Sequence, residues 1–331
     1  MRAFSPLIPC RTFSRKREKA VSSQRFEFSM TSLRSRFDLA RPSRRHWLGY
    51  LLLLPAVALI AAIIVYPLIV SVDISFQNVG IARLDQPRRP FTTANYERLF
   101  ASEDFWNACW VTLKLILVVT TACFLLGLGT ALLVNNRFKG RSLARLLVAM
   151  PWAVPEVIAV VIFAWIFDSS FGLMNWLFWK AGLIDRSINW FSNPDAAFAV
   201  VATTMIWKGY PFVSIMSLAG LQSIPEDYYA AARVDGASAW QRLVHITLPS
   251  LMPVIGVTTV LVMLWIFRDF SIIYVLTGGG PLKATQTLSI MTYEQAFGFH
   301  RMGYASAIGI VTLVICVIAA KLMMRRAPEH L

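Results

Sequence analysis

Six stretches of the chain hold runs of about 20 or more mostly apolar residues, the length that crosses the hydrocarbon core of a bilayer. They cover residues 48–70, 108–134, 146–167, 197–218, 251–273 and 304–323, and predict six transmembrane helices. The longest polar interruption with helical pattern lies between the fourth and fifth runs. There Pro225 suits a first helical turn, Glu226 and Asp227 sit where acids complement the helix dipole, and Gly236 follows Arg233 and Val234 as a stop. Ser238 with Gln241 three residues on has the form of a capping box, and Pro249 closes the second short helix. The pattern therefore predicts an all-α membrane protein. A basic tail covers residues 1–46, a transmembrane domain 47–325 and a short C-terminal tail 326–331.

Composition agrees, because 56% hydrophobic and 15% charged residues leave too little polar surface to cover a water-soluble globule of 331 residues. The formal net charge of +14 does not point to nucleic acid, since 12 of the 32 Lys and Arg lie in residues 1–47 and the rest cluster beside the apolar runs. That distribution sets orientation instead. With both termini cytoplasmic, 21 basic residues fall inside and 9 outside, and NNRFKGRSLAR, with four bases and no acid, places the second connection on the cytoplasmic side. Tail sequences such as SRKREKAVSSQRFEF read as polar chain lying against anionic lipid headgroups, and Met30 is a candidate start because no organised element precedes it.

Catalytic chemistry has little to recruit. His46, His245, His300 and His330 lie in tails or connections without HExxH or GxSxG patterns. Cys10, Cys109, Cys123 and Cys316 have neither metal-ligand spacing nor a disulfide framework. LTGGGPLKAT is not a phosphate-binding loop, because Lys283 is followed by Ala284 where Ser or Thr is needed; its glycines read as a tight turn. A secondary carrier remains a different-class alternative, although such carriers usually have ten or more spans built from repeats.

The segment SIPEDYYAAARVDGASAWQRLVHITLPSLMP closely resembles the cytoplasmic loop of binding-protein-dependent ABC importer permeases. YPLIVSVDISF, IWKGYPF, DFSIIYVLTGGGP, TYEQAF and GYASAIGI are similar, in order, to the maltose-type carbohydrate branch of that family. The resemblance implies a type I importer permease fold of six transmembrane helices in an inner membrane. Its coupling helix would dock in a groove of a separate ATPase through Tyr229, Ala230, Ala231, Ala232, Asp235, Gly236 and Ala237. It further implies ATP and Mg held by two partner ATP-binding subunits, a second homologous permease, an extracytoplasmic solute-binding protein, and no cofactor in this chain. Ala230 departs from the family pattern, which has Glu there; Glu226 or Asp227 stands one turn earlier as a substitute.

The same resemblance maps a sugar site onto Lys208, Gly209 and Phe212 in the fourth run and Trp265, Ile266 and Asp269 in the fifth. Aromatic faces beside hydrogen-bonding groups suit a solute with apolar ring faces and many hydroxyls. A maltose- or trehalose-like solute leads, with sugar alcohols and glycerol phosphates as rivals. Glu156, beside Pro155 near the middle of the third run, either lines the path or binds neighbouring backbone.

Overall fold

The computed structural model describes residues 44–80, 82 and 90–326. The tail expectations for residues 1–43, including the candidate start at Met30, and for 327–331 lie outside the described residues, while residues 44–46 already belong to the first helix. All regular structure among the described residues is helical.

The described residues fall into two compact units, divided between Ile63 and Ile64. In the first, α1 (Arg44–Ile60) keeps Pro55 inside the helix. A π turn, Ala61–Val65, spans the division, and α2 (Tyr66–Ser75) opens the second unit. Pro67 explains the π turn: it has no N–H to give and its ring would meet the carbonyl four residues back, so the turn before it widens.

The second unit continues through α3 (Ala94–Phe100), α4 (Glu103–Asn135), α5 (Arg141–Ala153), α6 (Glu156–Ile166), α7 (Leu173–Lys180) and α8 (Pro194–Ser223). It then runs through α9 (Glu226–Val234) and α10 (Ala239–Arg242), a π turn at Leu243–Thr247, and α11 (Leu248–Arg268). Last come α12 (Ser271–Leu276), α13 (Leu288–Tyr293), a π turn at Glu294–Gly298, and α14 (Met302–Arg326). Among the described residues, five helical stretches are long and apolar enough to cross a membrane: Tyr50–Ser75, Glu103–Asn135, Pro194–Ser223, Ala239–Arg268 and Met302–Met323. The sixth expected span is instead a broken pair, α5 and α6, bent by 95°.

Three expectations need correction. The run 146–167 is not one helix, because Val154 is extended (φ −67°, ψ 129°), as a residue before proline prefers, and Pro155 cannot donate the next helical hydrogen bond. The fifth span ends at Arg268, with Asp269 extended and a separate α12 beyond it. Pro249 does not close the second short helix. It sits at the start of α11 behind the π turn, the same pairing of widened turn and proline seen at Pro67, so Ala239–Arg268 forms one 30-residue helical stretch.

Helices α4 and α8 make the most extensive contact in the second unit. Gly127 permits it, since a Cβ there would lie 2.6 Å from the Val213 Cβ, and Thr130 Oγ1 donates to Ser214 Oγ at 2.9 Å across the same crossing. Leu115, Val119 and Cys123 of α4 are buried while Leu117, Leu125 and Leu133 are exposed, as expected of a helix with one face on protein and one on lipid.

At the end of the unit where α3 lies, Lys283 Nζ meets Asp104 Oδ2 at 2.6 Å, and Gln286 Nε2 donates to the Glu294 carboxylate. Burial pushes the Glu294 carboxyl above the ordinary glutamate range, against the opposing hydrogen bond from Gln286 and the charge of Lys283. The folded state therefore holds this proton more tightly than the unfolded chain. Its contribution to stability is full below the ordinary glutamate pKa and is lost as pH rises through the raised one. Glu294→Gln is expected to flatten that slope in thermal unfolding of the detergent-solubilised protein; an unchanged slope would place the titration elsewhere.

Candidate functional site

At the break between α5 and α6 lies an open cavity of about 490 Å³ lined by residues of α4, α5, α6, α8, α11 and α12 and of the 269–270 link. Glu156 is the first residue of α6, and its carboxylate lines the cavity at the helix terminus whose partial charge favours an anion. Lys208 enters from α8. Its Nζ donates to the carbonyls of Pro151 (3.3 Å), Trp152 (3.0 Å) and Val154. Asp269 also lines the cavity and accepts the Ile272 N–H at 3.2 Å through Oδ1, which ties it to the first turn of α12.

Five of the six residues expected at a solute site line this cavity: Lys208, Gly209, Trp265, Ile266 and Asp269. Phe212 stands just behind, its ring centroid 4.5 Å from Trp265 and 6.5 Å from Trp152, so three aromatic rings from α5, α8 and α11 form one row. Gly209 lies close to α4: a Cβ there would stand 3.1 Å from the Cys123 sulfur, which would have to shift by a few tenths of an ångström. Trp152, which the sequence does not mark as a site residue, also lines the cavity. The proline pair in PWAVP was the available signal, because a break at Val154 is what brings the end of α5 to the cavity.

The segment singled out for coupling forms a second feature at the other end of the bundle. Tyr229 is half-buried, packs against Leu221, Ile224 and Leu251, and shares a hydrogen bond of 3.0 Å with Thr247 Oγ1, so it anchors α9 to the start of α11. Ala230 and Ala231 are exposed, as are Glu226 and Asp227 one turn earlier. Gly236 takes φ +76°, the left-handed conformation that ends α9, and the Ala237 N–H closes back on the Ala232 carbonyl at 2.9 Å. Ser238 and Gln241 make the complete capping box, and Arg242 Nη1 donates to the Ala237 carbonyl at 2.6 Å. Together Ala232, Asp235, Gly236 and Ala237 face Gln241 and His245 across a hollow of about 380 Å³. Val234 and Trp240 are 88% and 71% exposed beside it, an apolar rim that no other described residue covers.

Residues 124–326 match the family model described as binding-protein-dependent transport system inner membrane component. The chain is 38% identical over 269 residues to a trehalose/maltose transport system permease protein of Thermococcus litoralis, covering 81% of this chain and 89% of that one. It is 37% identical over 284 residues to a sulfoquinovosyl glycerol transport system permease protein of Agrobacterium fabrum, covering 85% and 91%. Among solved structures, a bacterial ABC transporter involved in import of the acidic polysaccharide alginate matches with a TM-score of 0.72 and 28% identity, over 86% of this chain and 97% of that one.

Proposed function

Because the chain belongs to the family of binding-protein-dependent transport system inner membrane components, we propose that it is the permease subunit of an ATP-driven importer that carries a sugar or oligosaccharide. One observation supports this above the others. The helical stretch Ala239–Arg268 begins at the hollow formed by Asp235 to Ala237 and ends with Trp265 and Ile266 at the cavity, a length of about 45 Å at 1.5 Å per residue. A push on its α10 end is thereby carried to the solute end without a flexible joint other than the π turn.

In this reading the α9 end faces the cytoplasm, both termini lie on that side, and Ala230, Ala231, Ala232, Asp235, Gly236 and Ala237 meet one of two ATPase subunits that hold ATP and Mg. The chain itself performs no chemistry on solute or nucleotide. A second permease completes the pathway, and an extracytoplasmic binding protein delivers solute to the opposite end. Closure of the ATPase pair rocks the spans between two states, and solute is released when its contacts differ between them. Trp265 and Trp152 supply the aromatic faces for sugar rings, Phe212 backs both, and Asp269 with Glu156 accepts hydroxyl donors. A sugar alcohol or glycerol phosphate would use the same hydroxyl acceptors and fewer of the rings.

Asp269→Ala is expected to lower solute-dependent stimulation of the partner ATPase by about 10- to 100-fold, the loss of one hydrogen-bonding charged group. Trp265→Ala is expected to weaken ring-bearing solutes more than linear polyols. The measurement is ATPase stimulation by loaded binding protein in vesicles holding the complete importer. Unchanged stimulation and solute preference in both variants would remove the cavity as the solute site. Solute accumulation by this chain alone, driven by an ion gradient, would replace the importer with a secondary carrier.

A further inference from the structure

A continuous helix would satisfy the carbonyls at the end of α5 from N–H groups four residues on. Here that is impossible for Pro151, whose partner would be Pro155, and for Trp152, whose partner, Glu156, already belongs to a helix turned 95° away. Val154 adds a third carbonyl in extended backbone. Open carbonyls within a membrane span need a donor from elsewhere in the protein. The Lys208 ammonium has three N–H groups, and Pro151, Trp152 and Val154 take all three. It also places a positive charge at the C-terminus of α5, where the helix dipole favours it.

We propose that Lys208 is a positioning residue that holds the α5–α6 break, and not a group that binds solute. By capping α5 from the side of α8 it keeps the chain bent at Val154, and the bend is what sets Trp152 and Glu156 on the cavity wall. Proline alone does not impose such a bend in this protein. Pro55, Pro211 and Pro253 all lie inside unbroken helices. The break is therefore a joint property of Pro155 and Lys208, and α8 and the two halves of the third span move as one body for as long as the ammonium stays seated. The proposal stands whatever solute is carried.

The test uses the complete importer in lipid nanodiscs, with nitroxide labels at exposed Leu147 on α5 and Ile162 on α6 in a background lacking the four native cysteines. Native Lys208 is expected to give one narrow interlabel distance. Lys208→Met is expected to broaden and lengthen it as the bend relaxes, while Lys208→Arg, which keeps the charge and the donors, restores the narrow distribution. In the same particles Lys208→Met is expected to lower maximal solute-stimulated ATPase activity by about 100-fold, a coupling loss of ordinary allosteric size, with the half-saturating concentration of loaded binding protein unchanged. A distance distribution in Lys208→Met that overlays the native one would overturn the proposal. So would a change confined to half-saturation or solute preference, the mark of a ligand. If Lys208→Met does not assemble, Lys208→Gln, with two donors and no charge, is read by the same distances. The distances need no transport, so their failure is separate from failure of the sugar reading.

Discussion

Gly236→Asp is expected to abolish uptake while leaving the protein at normal abundance in the membrane. The substitution is tolerable to the fold. No atom lies within 4 Å of a Cβ at this position, and aspartate enters the left-handed region at a cost of about 1–2 kcal/mol, among the smaller penalties for a residue with a side chain. The added carboxylate stands beside Asp235, on the wall of the hollow between α9 and α10 and next to the exposed Val234. On the proposed function this is where the ATPase docks, so a second negative charge must either stay hydrated and hold the partner off or be buried unpaired. Loss of ~3 kcal/mol of coupling corresponds to about 150-fold in transport. The partner ATPase is expected to continue hydrolysis without response to solute. Gly236→Ala adds the strain without the charge and is expected to fall between native and Gly236→Asp. Uptake of labelled solute, normalised to permease in isolated membranes, checks both, and native uptake by Gly236→Asp would count against docking at this surface.

The long apolar runs were legible because about 20 residues are needed to cross lipid and few other constraints mimic that. Their breaks were not. Pro155 interrupts a span while Pro55, Pro211 and Pro253 do not, and the difference lies in Lys208, 53 positions later in the sequence, which no local pattern connects to it. The reading of Pro249 as a stop failed for a related reason: a π turn ahead of the proline lets the helix continue, and the sequence of Leu243 to Thr247 does not announce it. At the cavity, Lys208, Gly209, Trp265, Ile266 and Asp269 came from the family resemblance, carried by two short stretches of chain, and the structure brings both stretches to one cavity. Trp152 was missed because a third, broken element brings it there. The capping box at Ser238 and the turn at Gly236 were fully legible, since both are local hydrogen-bonding devices whose residue types follow from backbone geometry alone.

Gly303→Ala is expected to be strongly destabilising for a change of one methyl group. Gly303 lies in the first turn of α14, where its N–H donates to the Val79 carbonyl at 3.0 Å. A Cβ there would stand 2.0 Å from the Gln77 carbonyl oxygen and 3.0 Å from Asn95 Nδ2. Neither neighbour can step aside cheaply. The Gln77 oxygen is backbone, and Asn95, itself buried, is fixed by donating to the carbonyls of Ser75 (2.8 Å) and Gln77 (2.9 Å). Relieving the overlap requires moving the 75–79 segment by more than an ångström, which breaks the Gly303–Val79 bond and strains both asparagine bonds. Overpacking of about 1–3 kcal/mol together with one or two unmade buried hydrogen bonds gives a loss of ~3–5 kcal/mol. Gly309→Ala in the same helix is the control, because nothing lies within 4 Å of its Cβ and an alanine there is expected to add about 0.5–1 kcal/mol of helix stability. The two variants differ from native by one methyl each, so thermal unfolding in the same detergent separates close approach from helix propensity. If both unfold at the native temperature, α2 and α14 are not held together by this contact, and the α3 end of the unit is looser than its hydrogen bonds require.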